Sequence, residues 1–244
     1  MTIAPALLGQ TVVVIGGSSG IGLETARQAR AQGADVVLTG LDPGRLAHAA
    51  AELGASRTAA FDATDSAALK QFFASWPAPV DHVMVTGPGP YYAPLADLDR
   101  DRAHQDFDHH LWLAVEVAQR SVGRVRAGGT LLFMAGTDSG KRGPGLSLFA
   151  ATTAALPALI ANLAVEVAPI RVNLIAAGFV DTPLSASLLG DDLDKRRAQL
   201  RATLPIGRVV LPADVAALAV HIMTNTALTG STYNIDGGEQ LIPA

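Results

Sequence analysis

Residues 11–22 read TVVVIGGSSGIG. Thr11 is β-branched and Val12–Ile15 form an unbroken apolar run, the pattern of a short strand buried on both faces in a parallel sheet. The run passes straight into Gly16, Gly20 and Gly22, after which Leu23-Glu24-Thr25-Ala26 reads as helix. Strand, glycine-rich turn and helix opening together form the part of a dinucleotide fold that receives a pyrophosphate. Glycine lets the backbone turn tightly and approach the phosphates, and the free N–H groups of the helix start favour their charge. A plain tight turn is the alternative, since a glycine triplet alone does not separate the two. Its place directly after a strand, at the amino end of a 244-residue chain, favours the nucleotide. The residues expected to touch it are Gly16, Ser18, Ser19, Gly20, Ile21 and Gly22.

The rest of the chain supplies what such a unit needs. A length of 244 residues suits one α/β domain over 1–244. With 49% hydrophobic and only 16% charged residues, there is enough material for a sheet covered on both faces. The net charge is −4 with no basic block, so neither nucleic acid nor an anionic membrane surface is an expected partner. Cysteine is absent, which excludes disulfides, thiolate chemistry and cysteine metal sites. The opening MTIAPALLGQ carries no charged n-region, which argues against a secretory signal. Leu146 to Val165 is uncharged and long enough to cross a bilayer. Its Ser147, Thr152, Thr153, Pro157 and Asn162, and its many alanines, point instead to a helix buried in the domain or at a subunit contact. A soluble, cytoplasmic protein is expected.

Taken in order, further strands are expected at Ala34–Thr39, Arg57–Phe61, His82–Thr86, Thr130–Met134, Arg171–Ile175 and Ser231–Ile235. Helices are expected at Arg45–Leu53, Ser66–Trp76, a long stretch Arg100–Val125, about 147–168, and Ala213–Met223. Alternating strands and helices call for a three-layer, doubly wound parallel sheet with right-handed crossovers, a Rossmann-type α/β fold in a single domain.

The spacing Gly16-x-x-x-Gly20-x-Gly22 resembles that of the short-chain dehydrogenase/reductase family, and the resemblance extends over nearly the whole chain. Phe61-Asp62-Ala63-Thr64 resembles the family's acidic segment after the third strand. Arg171–Thr182, RVNLIAAGFVDT, resembles R-V-N-x-I-x-P-G-x-x-x-T with Ala177 in place of proline. Leu228-Thr229-Gly230 and Asp236-Gly237-Gly238 resemble the closing T-G and D-G-G. The resemblance implies an NAD or NADP cofactor, with Asp62 and Ala63 beside the adenine and Gly89, Gly178 and Thr182 on the nicotinamide side. Asp62 has an alternative reading as the cap of the next helix. The resemblance also implies a small-molecule substrate, and a homotetramer or homodimer built through the two long helices and the last strand. Which of the two cofactors is bound stays open. Gly40 and Leu41 at the end of the second strand can neither accept from a ribose hydroxyl nor pair with a phosphate. Ser19 stands where many phosphate-preferring members carry arginine, and Asp42 and Arg45 are the possible substitutes.

The chain departs from the family where hydride chemistry needs a proton partner. Aligning GGTLLFMAG with the family's strand puts Gly136 at the serine, Phe149 at the tyrosine, Thr153 at the lysine and His110 at the asparagine. The family's N-N-A-G is Thr86-Gly87-Pro88-Gly89 here. Four residues after Tyr91, Tyr92 and Tyr233 stand Leu95, Ala96 and Gly237, so no Y-x-x-x-K exists in any register. Phenylalanine has no ionisable proton, threonine cannot shift a neighbour's pKa as an ammonium does, and glycine offers no side-chain donor to an oxyanion. His110 titrates near neutrality and is the candidate acid, although a helix histidine that only packs is its alternative. Thr137, Asp138 and Ser139 are expected to line the pocket, Lys141 and Arg142 to lie on a loop near it, and Tyr91 and Tyr92 to form walls. His104, His109 and His110 are spaced by five and six residues, which does not stack them on one helical face, and no metal is expected. Two functions remain. One is an atypical nicotinamide-dependent oxidoreductase acting without the Tyr/Lys relay. The other is a catalytically inactive or non-redox nucleotide-binding protein, whether a sensor, a scaffold or a repurposed isomerase or lyase.

Overall fold

The computed structural model describes residues 5–76, 78–137 and 143–242. Seven strands, β1 (Thr11–Ile15), β2 (Asp35–Gly40), β3 (Arg57–Ala60), β4 (Val80–Val85), β5 (Val125–Gly136), β6 (Arg171–Ala177) and β7 (Thr232–Ile235), form one sheet in the order β3-β2-β1-β4-β5-β6-β7. Every pairing is parallel. The strand order reverses between β1 and β4, and in open α/β sheets ligands bind in the crevice beyond the carboxyl ends of strands at such a point.

Alternation along β1 explains why both faces are dry. Val13 and Ile15 join a core with Val83, Leu131 and Leu174 of the neighbouring strands, covered by α3 (Ser66–Ala74), α5 (Leu113–Ser121) and α6 (Ser147–Glu166). Val12 and Val14 point the other way, to Met84, Leu132 and Ile175 under α1 (Gly20–Ala31), α2 (Pro43–Leu53) and the later helix Pro212–Thr224. Helix α6 is long and apolar enough to span a membrane. Leu156, Ile160 and Leu163 seat one of its faces in the core, while Ala151, Ala154, Ala155, Ala158, Ala161 and Val165 stand exposed on the other.

Three differences from the sequence expectation have local causes. The stretch expected as one helix to Val125 is α4 (Arg100–Phe107), one π-helical turn at Asp108–Trp112, and α5. Gly123, with φ +73°, ends the helical run, because this left-handed backbone costs glycine little. Strand β5 then begins at Val125, earlier than expected, paired with Val80 before the register shifts to His82 opposite Thr130. Between the turn after β6 and the last helix lie α7 (Pro183–Leu189) and α8 (Leu193–Thr203), which hydrophobic periodicity did not announce. Only Leu200 of α8 is buried, so the helix carries almost no apolar stripe. The helix Pro212–Thr224 is α9.

The R-V-N residues are structural. Buried Arg171 donates to the carbonyls of Gly128, Ile222, Met223, Asn225 and Leu228 at 2.8–3.1 Å, and to Thr130 Oγ1. It satisfies carbonyls that the end of α9 cannot pair for itself. Asn173, two residues on and on the same face, donates to the Leu228 carbonyl and accepts from the Ser231 N–H. Strand β6 is thereby fixed, and with it the turn that follows.

Candidate active site

The turn between β1 and α1 is bare backbone at close packing. Gly16 and Gly20 have φ of +84° and +54°. The Thr86 hydroxyl, at the end of β4, donates to the carbonyls of Ile15 and Gly16 at 3.1 and 3.0 Å. A Cβ on Gly22 would stand 2.8 Å from that hydroxyl oxygen. Ser19 is the N-cap of α1 but makes no side-chain cap, and the first turn holds no acid. The free N–H groups and the positive end of the helix are left for an external anion, which is what a dinucleotide pyrophosphate requires. The residues therefore fit the group.

At the adenosine end, a Cβ on Gly40 would lie 2.8 Å from Ser18 Oγ, so position 40 has no room for an acid while Ser18 keeps its place. The Phe61 N–H donates to the Gly40 carbonyl, which sets Asp62 beside this edge. Asp62 Oδ1 accepts from the Thr64 hydroxyl and N–H at 2.7 and 2.9 Å, bonds that hold its carboxyl below the usual range. The cap of α3 is Asp65, not Asp62, because the N–H groups of Ala67 and Ala68 bond to Asp65. Ala63 packs against the core. Asp42 caps α2 by accepting the Arg45 N–H at 2.8 Å, and its other oxygen lies 3.6 Å from Arg45 Nε, so these two candidates engage each other.

A cavity of about 470 Å³ opens beside the turn, with Ile21, Gly89, His110, Gly136, Phe149, Thr153, Gly178 and Thr182 in its walls. A Cβ on Gly20 would be 3.7 Å from Thr182, so the glycine turn and the turn after β6 meet at one end. Thr182 caps α7, accepting the Ser185 N–H at 3.1 Å. Gly178 is pressed against the closing turn, where a Cβ would lie 2.7 Å from that of Asp236. Gly89 faces Leu184 of α7, with 3.1 Å from its would-be Cβ to Leu184 Cδ1.

One wall is apolar. A Cβ on Gly136 would stand 2.6 Å from Cε2 and Cζ of Phe149, and the Phe149 ring meets that of Tyr92 at 5.5 Å. The Thr153 hydroxyl donates back to the Phe149 carbonyl at 2.8 Å. Gly136, Phe149 and Thr153 thus converge on the cavity, and none presents an ionisable group. Tyr91, expected as a wall, is turned to other duties. Its hydroxyl accepts the Asp99 N–H at 3.0 Å, and the Arg102 guanidinium lies 4.5 Å over its ring. Asp138, Ser139, Lys141 and Arg142 lie outside the described residues.

Another part of the lining is polar and holds Asp106, which the sequence did not single out. His110, in the π turn, has Nδ1 2.8 Å from the Asp106 carbonyl and 3.4 Å from Asp106 Oδ1. Burial pulls the imidazole pKa down, but the bonds and charge of Asp106, with the Pro88 carbonyl, outweigh it and leave the pKa raised. Burial pushes the Asp106 carboxyl up, and bonds from His110 and the Tyr91 N–H bring it below its usual range. The spacing Asp106-x-x-x-His110 puts both on one helical face and would have revealed the pair. The Tyr92 phenol is raised, chiefly by burial and then by the charges of Asp106 and Glu239. At the far end Arg196 of α8 donates to Glu239 Oε1 at 2.6 Å, a contact between residues too far apart in sequence to leave a signal.

A parallel sheet reversing at β1/β4, an uncapped glycine turn and an adjoining cavity define a dinucleotide-binding α/β protein. The chain belongs to the short-chain dehydrogenase/reductase family of oxidoreductases. A family model described as Enoyl-(Acyl carrier protein) reductase matches residues 15–240. The chain is 30% identical to 3beta-hydroxysteroid dehydrogenase 1 of Eggerthella lenta, over 97% of this chain and 96% of that protein. A small-chain dehydrogenase crystallised in complex with NADPH is 28% identical, with a TM-score of 0.81 over 96% of this chain and 99% of that one. The MalC Reductase/Diels-Alderase of Malbranchea aurantiaca shares the fold, with a TM-score of 0.87 at 24% identity over 98% and 99% of the two chains. The cofactor is NAD or NADP.

Proposed function

We propose that this protein is an NAD(P)-dependent oxidoreductase that acts on a small apolar molecule without a Ser-Tyr-Lys relay, and that His110 handles the proton. The observation that carries this reading is the lining of the cavity: Gly136, Phe149 and Thr153 meet there without an ionisable group, and the Asp106–His110 pair lines the same cavity. When bound, the nicotinamide would supply or accept the hydride. Gly16, Ser18, Ser19, Gly20, Ile21 and Gly22 would hold the pyrophosphate, Asp62 and Ala63 the adenine, and Gly89, Gly178 and Thr182 the nicotinamide end. Pro88, Tyr92, Phe149, Leu184 and Leu188 would enclose an apolar substrate and exclude water. Without a serine hydroxyl on the reacting carbonyl, an activated alkene or imine suits the site better than an unactivated ketone.

The test is calorimetric titration with NAD⁺, NADH, NADP⁺ and NADPH, followed by turnover of a panel of enones, imines and ketones by the protein and its His110→Ala variant. Loss of general acid catalysis is expected to lower turnover by about 10²–10⁴. Undiminished turnover by His110→Ala would remove His110 from the chemistry. One observation favours a second reading, in which nucleotide is bound without turnover: the Asp106 carbonyl holds the His110 ring at 2.8 Å, as for a histidine that only packs. That reading predicts binding with no turnover across the panel. For assembly we propose a homodimer or homotetramer, supported by the exposed alanine face of α6. A monomer by light scattering at micromolar concentration would refute it.

A further inference from the structure

We propose that Asp106 is a positioning residue for His110: its carboxylate and its own carbonyl hold the ring's Nδ1 as an N–H, so the imidazole keeps one tautomer and one orientation at the cavity wall. The inference rests on the reading of His110 as the proton-handling group. The Asp106 carbonyl, 2.8 Å from Nδ1, can only accept, so Nδ1 carries hydrogen in both charge states of the ring. The proton that comes and goes is then the one on Nε2. The Asp106 side chain is 3% exposed and that of His110 14%, so their attraction is little screened by water. Asp106 Oδ1 also accepts the Tyr91 N–H at 2.9 Å, which ties the loop after β4 to the same carboxylate. The family's asparagine has no ionisable ring to hold, so this positioning task exists only because position 110 is histidine.

The surroundings leave Asp106 as the group that sets the charge of the ring. On its own helical stretch the other titratable neighbours are Asp108 and His109. From the loop after β4 come the Pro88 carbonyl and the Tyr92 phenol, whose raised pKa keeps it neutral. From the closing turn comes Glu239, paired with Arg196 of α8. From α6 and β5 the cavity receives Phe149, Thr152, Thr153, Met134 and Thr137, none of them charged. When the β-carbon of an enone gains a hydride, which the reduced nicotinamide would supply, the alkene pair shifts towards the carbonyl carbon, the carbonyl π pair moves to oxygen, and the enolate oxygen takes the Nε2 proton. His110 is left neutral, Asp106 stays ionised, and water returns the proton to Nε2.

The test is nitrogen-15 NMR of the histidine rings in the full-length protein, with His110 assigned from His110→Gln, and needs no substrate. The wild-type ring is expected to titrate above the ordinary value and to be an Nδ1–H tautomer when neutral. Asp106→Asn can still accept the Tyr91 N–H but carries no charge, and it is expected to weaken proton binding at His110 by about tenfold or more. Asp106→Glu, which restores a carboxylate, is expected to recover part of that loss, and serves alone if Asp106→Asn does not fold. An unchanged His110 titration in Asp106→Asn, a titration in Asp106→Glu no higher than that of an isolated histidine, or an Nε2–H neutral tautomer in the wild type would overturn the proposal. The reading of His110 itself fails separately, on turnover by His110→Ala.

Discussion

Replacing Arg171 by methionine keeps much of the stem and removes the donors. Five carbonyls then lose a partner: that of Leu228 keeps Asn173 and that of Asn225 keeps the Leu228 N–H, while those of Gly128, Ile222 and Met223 lose the bond described here. A buried acceptor left unpaired costs about 1–3 kcal/mol, but the three lie around one side chain and share one relaxation, so the losses do not add. Water reaching the end of α9 would repair some of them. An overall loss of about 3–5 kcal/mol follows, as for breaking a buried charged network. For a chain of this length each kcal/mol moves Tm by about 2–4 °C, so the melt should fall by roughly 6–20 °C. Urea unfolding followed by circular dichroism is the assay, with an unchanged m-value showing that the folded state keeps its extent. Arg171→Lys, with three donors for five acceptors, should fall between the two. A loss below about 1 kcal/mol in Arg171→Met would mean that the carbonyls are satisfied without the guanidinium, and the structural reading of R-V-N would be wrong.

Two other outcomes follow from groups outside the cavity. Gly22→Ala puts a methyl 2.8 Å from the Thr86 hydroxyl, and calorimetry should show NAD(P)H binding lost or severely weakened; tight binding would mean that the turn has slack. His82, buried in β4 with Nε2 2.6 Å from Gln10 Oε1, has its pKa lowered to about 4, first by burial and then by Arg171, against the pull of Asp81. Its folded pKa lies below the unfolded 6.5, so the neutral ring contributes stability above pH 6.5 that is lost as pH falls towards 4. The loss is roughly 3 kcal/mol by linkage. Urea midpoints across that window should show it in the wild type and much less of it in His82→Gln; equal slopes would refute the assignment.

The sheet was legible because its inner strands are buried on both faces, as the apolar run Val12–Ile15 announces. The glycine turn was legible because Gly16 and Gly22 have no room for a Cβ and no other residue serves. Helix α8 was not, because a helix lying over the domain with only Leu200 inside leaves no periodic trace. Gly136, Phe149 and Thr153 were picked out by counting along the chain and line one cavity, while the polar pair in the same cavity was half seen. His110 stood out by its chemistry, but Asp106 looked like one more surface acid until the π turn brought its carbonyl and carboxylate against the ring. Tyr91 and Tyr92 are adjacent and chemically equal, and only tertiary contacts with Asp99, Arg102 and Phe149 send one away from the cavity and the other into it.

The contact between Gly136 and Phe149 also bears on redesign of the site. A side chain at 136 and the present seat of the Phe149 ring exclude one another, so the two positions cannot be altered independently. A serine introduced at 136 meets an occupied space, and a tyrosine at 149 adds a hydroxyl without vacating it. A hydroxyl can be placed on this stretch of β5 only together with a new seat for the ring.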